Sequence, residues 1–80
     1  MNLTEASKNL FLAYAEDSGN WGGTPLVGGN VCLLGEKEDR GNLTQLKRAQ
    51  LLSTFRSDGC TWVEFTVAGR EYAKQHGINL

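Results

Sequence analysis

Asp58-Gly59 is the dipeptide that most constrains this chain. It lies within residues 52–66, LSTFRSDGCTWVEFT, and a β-prone run stands on either side of it. A two-residue type I′ hairpin turn needs φ > 0 at both central positions, and Asp-Gly meets that need. Such a turn sets a register. Ser57 faces Cys60, Arg56 faces Thr61, Phe55 faces Trp62, Thr54 faces Val63, and Leu52 faces Phe65. Side chains alternate between faces, so Phe55 and Trp62 share one face while Leu52, Val63 and Phe65 share the other. The second set is expected against the core. An outward Phe55–Trp62 pair serves either cross-strand stability under a terminal helix or contact with a partner.

The hairpin has a helix on each side. Upstream, Leu43, Leu46 and Gln50 fall on one helical face, with Leu51 and Leu52 at the exit. With the leucines inward, Lys37, Gly41, Thr44, Gln45 and Arg48 fall on the opposite face. Downstream, Thr66 can cap a helix over 67–76 through its hydroxyl. Ala68 and Tyr72, at i and i+4, are expected to pack inward. Gly77 suits a left-handed terminator, and Ile78 is placed to fold back over the last turn. Residues 41–77 therefore read as helix, strand, tight turn, strand, helix.

The run LTQLKRAQLLSTF…TWVEFTVAGREYA resembles the C-terminal half of winged-helix regulators of the MarR and PadR type. In that family a recognition helix ends near a "leucine, two or three residues, glycine, leucine" exit. A two-stranded wing follows, then a helix opening "T-x-x-G". Leu46, Leu51, Leu52, Thr66 and Gly69 match this pattern, and Gln50 stands where the family often has glycine. The resemblance covers about half the chain. It implies a small α+β winged helix, with about three helices and a two- or three-stranded antiparallel wing sheet. Winged helices bind DNA, and many bind protein instead.

Eighty residues with 40% hydrophobic and 21% charged side chains suit one globular domain over 1–80, near the lower limit for a single core. The formal net charge is −1. DNA-binding domains of this size are usually basic, because phosphate neutralisation supplies much of their affinity. The balance argues against strong non-specific DNA binding and leaves room for a local basic face. No apolar run approaches the ~20 residues of a membrane span. The opening MNLTEASKNLF lacks the basic-then-apolar order of a secretion signal, so a cytoplasmic location is expected. Cys32 and Cys60 have no CxxC spacing and are expected as separate thiols.

A first helix is expected over 3–17, capped by Asn2 with Glu5 completing a capping box. Ser7, Leu10, Phe11 and Tyr14 form its inward stripe, widened by Leu3, Ala6 and Ala13. Glu16 and Asp17 oppose the helix dipole, and Ser18-Gly19-Asn20 is the expected stop. The next stretch holds six of the ten glycines: Gly19, Gly22, Gly23, Gly28, Gly29 and Gly35. Glycine costs ~1 kcal/mol per helical position relative to alanine, which disfavours a long helix there. A short strand over 24–27, added to the wing sheet, is preferred, with Trp21 as a packing anchor and a brief turn at 31–34. Residues 29–37 miss a P-loop: the spacing is one residue too long, and Glu38 replaces the magnesium-holding Ser or Thr. Residues 36–40 read as a solvated first turn of the next helix. Gly41 either sits inside that helix or marks a restart with Asn42 as cap and Gln45 as its partner.

Catalytic chemistry is not indicated. His76 is the only histidine and is expected at a helix end, where a positive charge complements the dipole. No metal ligand set, triad or carboxylate pair accompanies it. No catalytic residue, metal site or cofactor is therefore expected. Two functions remain. One is a transcriptional regulator binding double-stranded DNA through the helix over 37–48. Thr44, Gln45 and Arg48 would then lie nearest base edges, and Lys37, Arg40 and Lys47 nearest phosphates, with Arg56 on the wing reaching adjacent backbone. The other is a protein-interaction module on the same fold, or one chain of a homodimer, using the Phe55–Trp62 pair.

Overall fold

The computed structural model describes residues 3–21, 25–27 and 35–79. Among them the elements follow as α1 (Glu5–Trp21), α2 (Glu36–Arg48), β1 (Leu52–Ser57), β2 (Cys60–Phe65) and α3 (Val67–Gln75). This is a small α+β fold, and its order is compatible with a winged helix.

The hairpin takes the register that Asp58-Gly59 dictates, from Ser57↔Cys60 through Phe55↔Trp62 to Leu52↔Phe65. Both turn residues have positive φ, 54° at Asp58 and 77° at Gly59. Leu52 and Val63 are buried and Phe65 is half-buried, so their face meets the core. Residues 25–27 brace the far side of β2. Val27 N–H donates to the Thr61 carbonyl (2.8 Å), Val63 N–H donates to the Pro25 carbonyl (2.8 Å), and Leu26 bridges Trp62 antiparallel. In place of the short strand expected over 24–27 there is an isolated bridge at Leu26, and among the described residues the sheet itself has two strands. Thr24, the turn at 31–34, Cys32 and the Trp21 side chain lie outside the described residues.

Helix α1 buries Ser7, Leu10, Phe11, Tyr14 and Ala15. The expected stripe is the one buried, but both expected ends move. Thr4 is the cap: its hydroxyl oxygen accepts the Ser7 N–H (3.1 Å). At the other end α1 runs through Ser18-Gly19-Asn20 to Trp21. The extra turn moves Glu16 and Asp17 away from the terminal carbonyls, which weakens the dipole conflict that would have ended the helix at Asp17. Phe11 then meets Phe65 and Tyr72 edge-on, at centroid distances of 5.6 and 5.2 Å, and joins α1 to the sheet and to α3.

Helix α2 is continuous through Gly41, so no restart occurs at Asn42. Leu43 and Leu46 are buried with Leu51 and Leu52. Asp39 is also inward, at 8% exposure, although residues 36–40 read as a solvated turn. Its spacing ahead of Leu43 and Leu46 puts it on their side of the helix.

Gln50 is not on that inward face. It lies past the helix end, exposed, with φ 61°. Gln50 N–H donates to the Lys47 carbonyl (3.0 Å) and Leu51 N–H to the Leu46 carbonyl (3.2 Å). These are the two bonds of a Schellman cap with Gln50 in the left-handed position. Helix α3 closes in the same way on Gly77 (φ 80°), through Gly77 N–H to the Lys74 carbonyl and Ile78 N–H to the Ala73 carbonyl (both 3.0 Å).

Thr66 caps α3 as expected, accepting the Gly69 N–H (3.0 Å) and donating to the Gln50 carbonyl (2.6 Å). Ala68 is exposed, contrary to expectation, and Gly69 and Ala73 are buried in its place, with Tyr72 half-buried. The close approach of Gly69 to Leu51 sets this rotation of the helix. No helix among the described residues is long and apolar enough to cross a membrane.

Candidate nucleic-acid interface

The inward face of α2 is set by Asp39, Leu43 and Leu46. At 100° per residue the opposite side centres on Lys37, Thr44 and Arg48, with Gly41 beside them and Arg40 and Lys47 along one flank. Lys37, Arg40, Gly41, Thr44, Lys47 and Arg48 are all exposed. The Thr44 hydroxyl donates to the Arg40 carbonyl (3.0 Å). Arg56 is exposed on β1, opposite Thr61 and two residues before the Asp58-Gly59 turn.

Gln45 departs from this group. It is half-buried, and its Oε1 accepts the Thr4 N–H (3.1 Å), with the Thr4 hydroxyl at 3.3 Å. Ser7 Oγ donates to Asn42 Oδ1 (3.2 Å) next to it. This polar cluster holds the start of α1 against α2. Thr4 and Ser7 are three apart, as are Asn42 and Gln45, so each pair shares one side of its helix. That spacing was the available sign that they meet. Sequence spacing put Gln45 on the opposite face among the residues nearest base edges; its bond to Thr4 instead draws it inward.

The charge distribution is uneven. From Arg40 to Ser57 the chain carries Arg40, Lys47, Arg48 and Arg56 and not one Asp or Glu. The overall charge of −1 therefore conceals a basic segment formed by most of α2 and all of β1. Glu38 at the start of α2 and Asp58 at the turn are exposed acids at its two ends, while Asp39 faces inward.

The outer face of the hairpin forms a second surface. Residues paired across strands share a face, so Leu26, Trp62 and Phe55 lie in one row. Phe55 is 41% exposed. Trp62 is half-buried, and its Nε1 donates to the Ser57 carbonyl (3.1 Å). Cys60, a free half-buried thiol, adjoins the row. His76 sits exposed at the end of α3, with Nδ1 2.9 Å from the Tyr72 carbonyl and its ring against Tyr72.

Comparison of the chain with protein-family models, curated proteins and solved structures finds no match.

Proposed function

We propose that this chain is a small cytoplasmic regulator of the winged-helix kind that binds double-stranded DNA without catalysing a reaction. The observation that carries this reading is the acid-free basic segment from Arg40 to Ser57, which joins the exposed side of α2 to the hairpin. In this reading α2 lies in the major groove. Thr44 and Arg48 meet base edges, because they lie at the centre of the exposed side; arginine pairs bidentately with guanine and the threonine methyl suits thymine. Lys37, Arg40 and Lys47 meet phosphates, and Arg56 reaches the backbone beside the groove. Gln45 holds α1 in place and lends the reading helix its rigidity.

The test is a titration of isotope-labelled protein with generic duplex DNA, read by amide shifts at low and moderate salt. Shifts confined to α2 and the hairpin turn, fading steeply with salt, are the expected result. Shifts spread evenly over the chain, or none at low salt, would remove this reading.

A second reading is supported by the outer row of Leu26, Trp62 and Phe55, with Phe55 41% exposed. Here the chain is a protein-interaction module, and a large exposed aromatic rimmed by Ser53, Ser57 and Glu64 is its anchor. Loss of partner capture in Phe55→Ser, with DNA titration silent, is the pattern that distinguishes it.

A further inference from the structure

Gly41 is a glycine inside an uninterrupted helix, and nothing among the described residues requires it. Its φ is not positive, so no turn or cap requires it. A Cβ built there meets no atom within 4 Å, so no neighbour within the described chain needs the space. Alanine would favour the helix. What Gly41 supplies is a bare stretch of backbone on the exposed side of α2. Lys37 lies one turn before it, Thr44 one turn after, Arg48 two turns after, and Arg40 beside it, all exposed. The exposed acid Glu38 also lies one turn before it, so the notch, which has no side chain, has Lys37 and Glu38 on one side and, beyond Thr44, Arg48 on the other.

We infer that Gly41 is the seat at which α2 meets a sugar–phosphate strand of duplex DNA. This rests on the DNA-binding reading above and adds to it a positioning residue that carries no charge. A strand entering the notch approaches the helix backbone closely, as glycine permits and other residues do not. Lys37 and Arg40 are then drawn onto its phosphates, while Arg48, two turns further on, stays at the base edges. A helix from a second copy fits the notch less well. Two such faces brought together would oppose Lys37, Arg40, Lys47 and Arg48 with their own kind.

The test uses the full chain and its Gly41→Ala and Gly41→Gln variants, with a duplex pool of randomised sequence as probe. Both substitutions favour the helix and keep every charge, so the thermal unfolding midpoint is expected to rise. Affinity is expected to fall about threefold in Gly41→Ala and about tenfold or more in Gly41→Gln, the scale of one lost contact. Equal or tighter binding by Gly41→Gln, with the wild type binding, would overturn the seat and leave the DNA reading intact. No binding by the wild type at low salt would overturn the DNA reading itself, and the seat with it. Dissociation of a wild-type dimer in Gly41→Gln, with DNA affinity unchanged, would assign the notch to a second copy and overturn the inference.

Discussion

Gly69 lies against the carbonyl of Leu51 so tightly that a Cβ there would fall inside van der Waals contact of the oxygen and 2.9 Å from the carbonyl carbon. The obstacle is backbone, which no rotamer change moves aside. The same Leu51 carbonyl accepts the Thr66 N–H (3.2 Å). Gly69→Ala must therefore push α3 off the end of α2 or break that bond. We expect it to cost roughly 3 kcal/mol or more, at the top of the range for overpacking. Urea unfolding would show this as a lower midpoint with an unchanged slope. A loss under ~1 kcal/mol would mean that α3 can shift freely.

The two Schellman caps make a matched pair. Gly77 fills the left-handed position in one and Gln50 in the other, at φ 80° and 61°. A side chain in this conformation costs roughly 1–2 kcal/mol, partly offset by the greater freedom that glycine has when unfolded. Gln50→Gly should stabilise the protein by about 0.5–1 kcal/mol, and Gly77→Gln should destabilise it by a similar amount. Thermal denaturation of the two variants would show opposite shifts. Shifts of the same sign would contradict the assignment of one motif to both ends.

Thr66 uses one hydroxyl twice, accepting from Gly69 N–H and donating to the Gln50 carbonyl. Thr66→Ala loses both bonds and should cost about 1–2 kcal/mol. Thr66→Ser keeps both and should recover most of that. Equal stability of the two variants in a denaturant titration would remove the cap from the account.

Arg48 and Gln45 test the division of labour on α2. Arg48→Ala removes an exposed cation and should leave stability within about 0.5 kcal/mol of wild type. It should weaken binding to a preferred duplex about tenfold and relax the sequence preference, as the loss of a base-edge contact does. Gln45→Ala removes the acceptor of the Thr4 N–H, so stability should fall by about 1 kcal/mol while affinity of the folded protein holds. Trp62→Ala should likewise act through stability. Paired fluorescence-anisotropy and unfolding measurements would check all three. The reverse pattern would place base reading on Gln45.

Much of the fold was legible because its determinants are local. Asp58-Gly59 admits one two-residue turn, and that turn fixes every cross-strand pair from Ser57↔Cys60 to Leu52↔Phe65. The stripe of Ser7, Leu10, Phe11 and Tyr14 carries the inward face of α1 without help from the rest of the chain. The errors occur where tertiary contact decides. Ala68 and Gly69 are neighbours, and only the presence of the Leu51 carbonyl selects Gly69 as the buried one. Gln50 looks like a continuation of the leucine face until its backbone is seen to turn left-handed. Among the candidate site residues, Lys37, Arg40, Thr44, Lys47, Arg48 and Arg56 could be placed on exposed faces from spacing alone. Gln45 could not, because its partner Thr4 is distant in sequence.

Residues 25–27 have an implication for the order of folding. They are joined to β2 by Val27 N–H to the Thr61 carbonyl and Val63 N–H to the Pro25 carbonyl. Those two groups of β2 become an aligned edge only after the hairpin has extended. The hairpin closes over two residues, whereas the brace must close a loop spanning more than thirty, a step with a larger entropic cost. Helix and hairpin contacts are therefore expected to form first and the brace late. Early in folding the outer edge of β2 stands open, and protection of the Val63 amide against solvent exchange would be the last of the strand amides to appear.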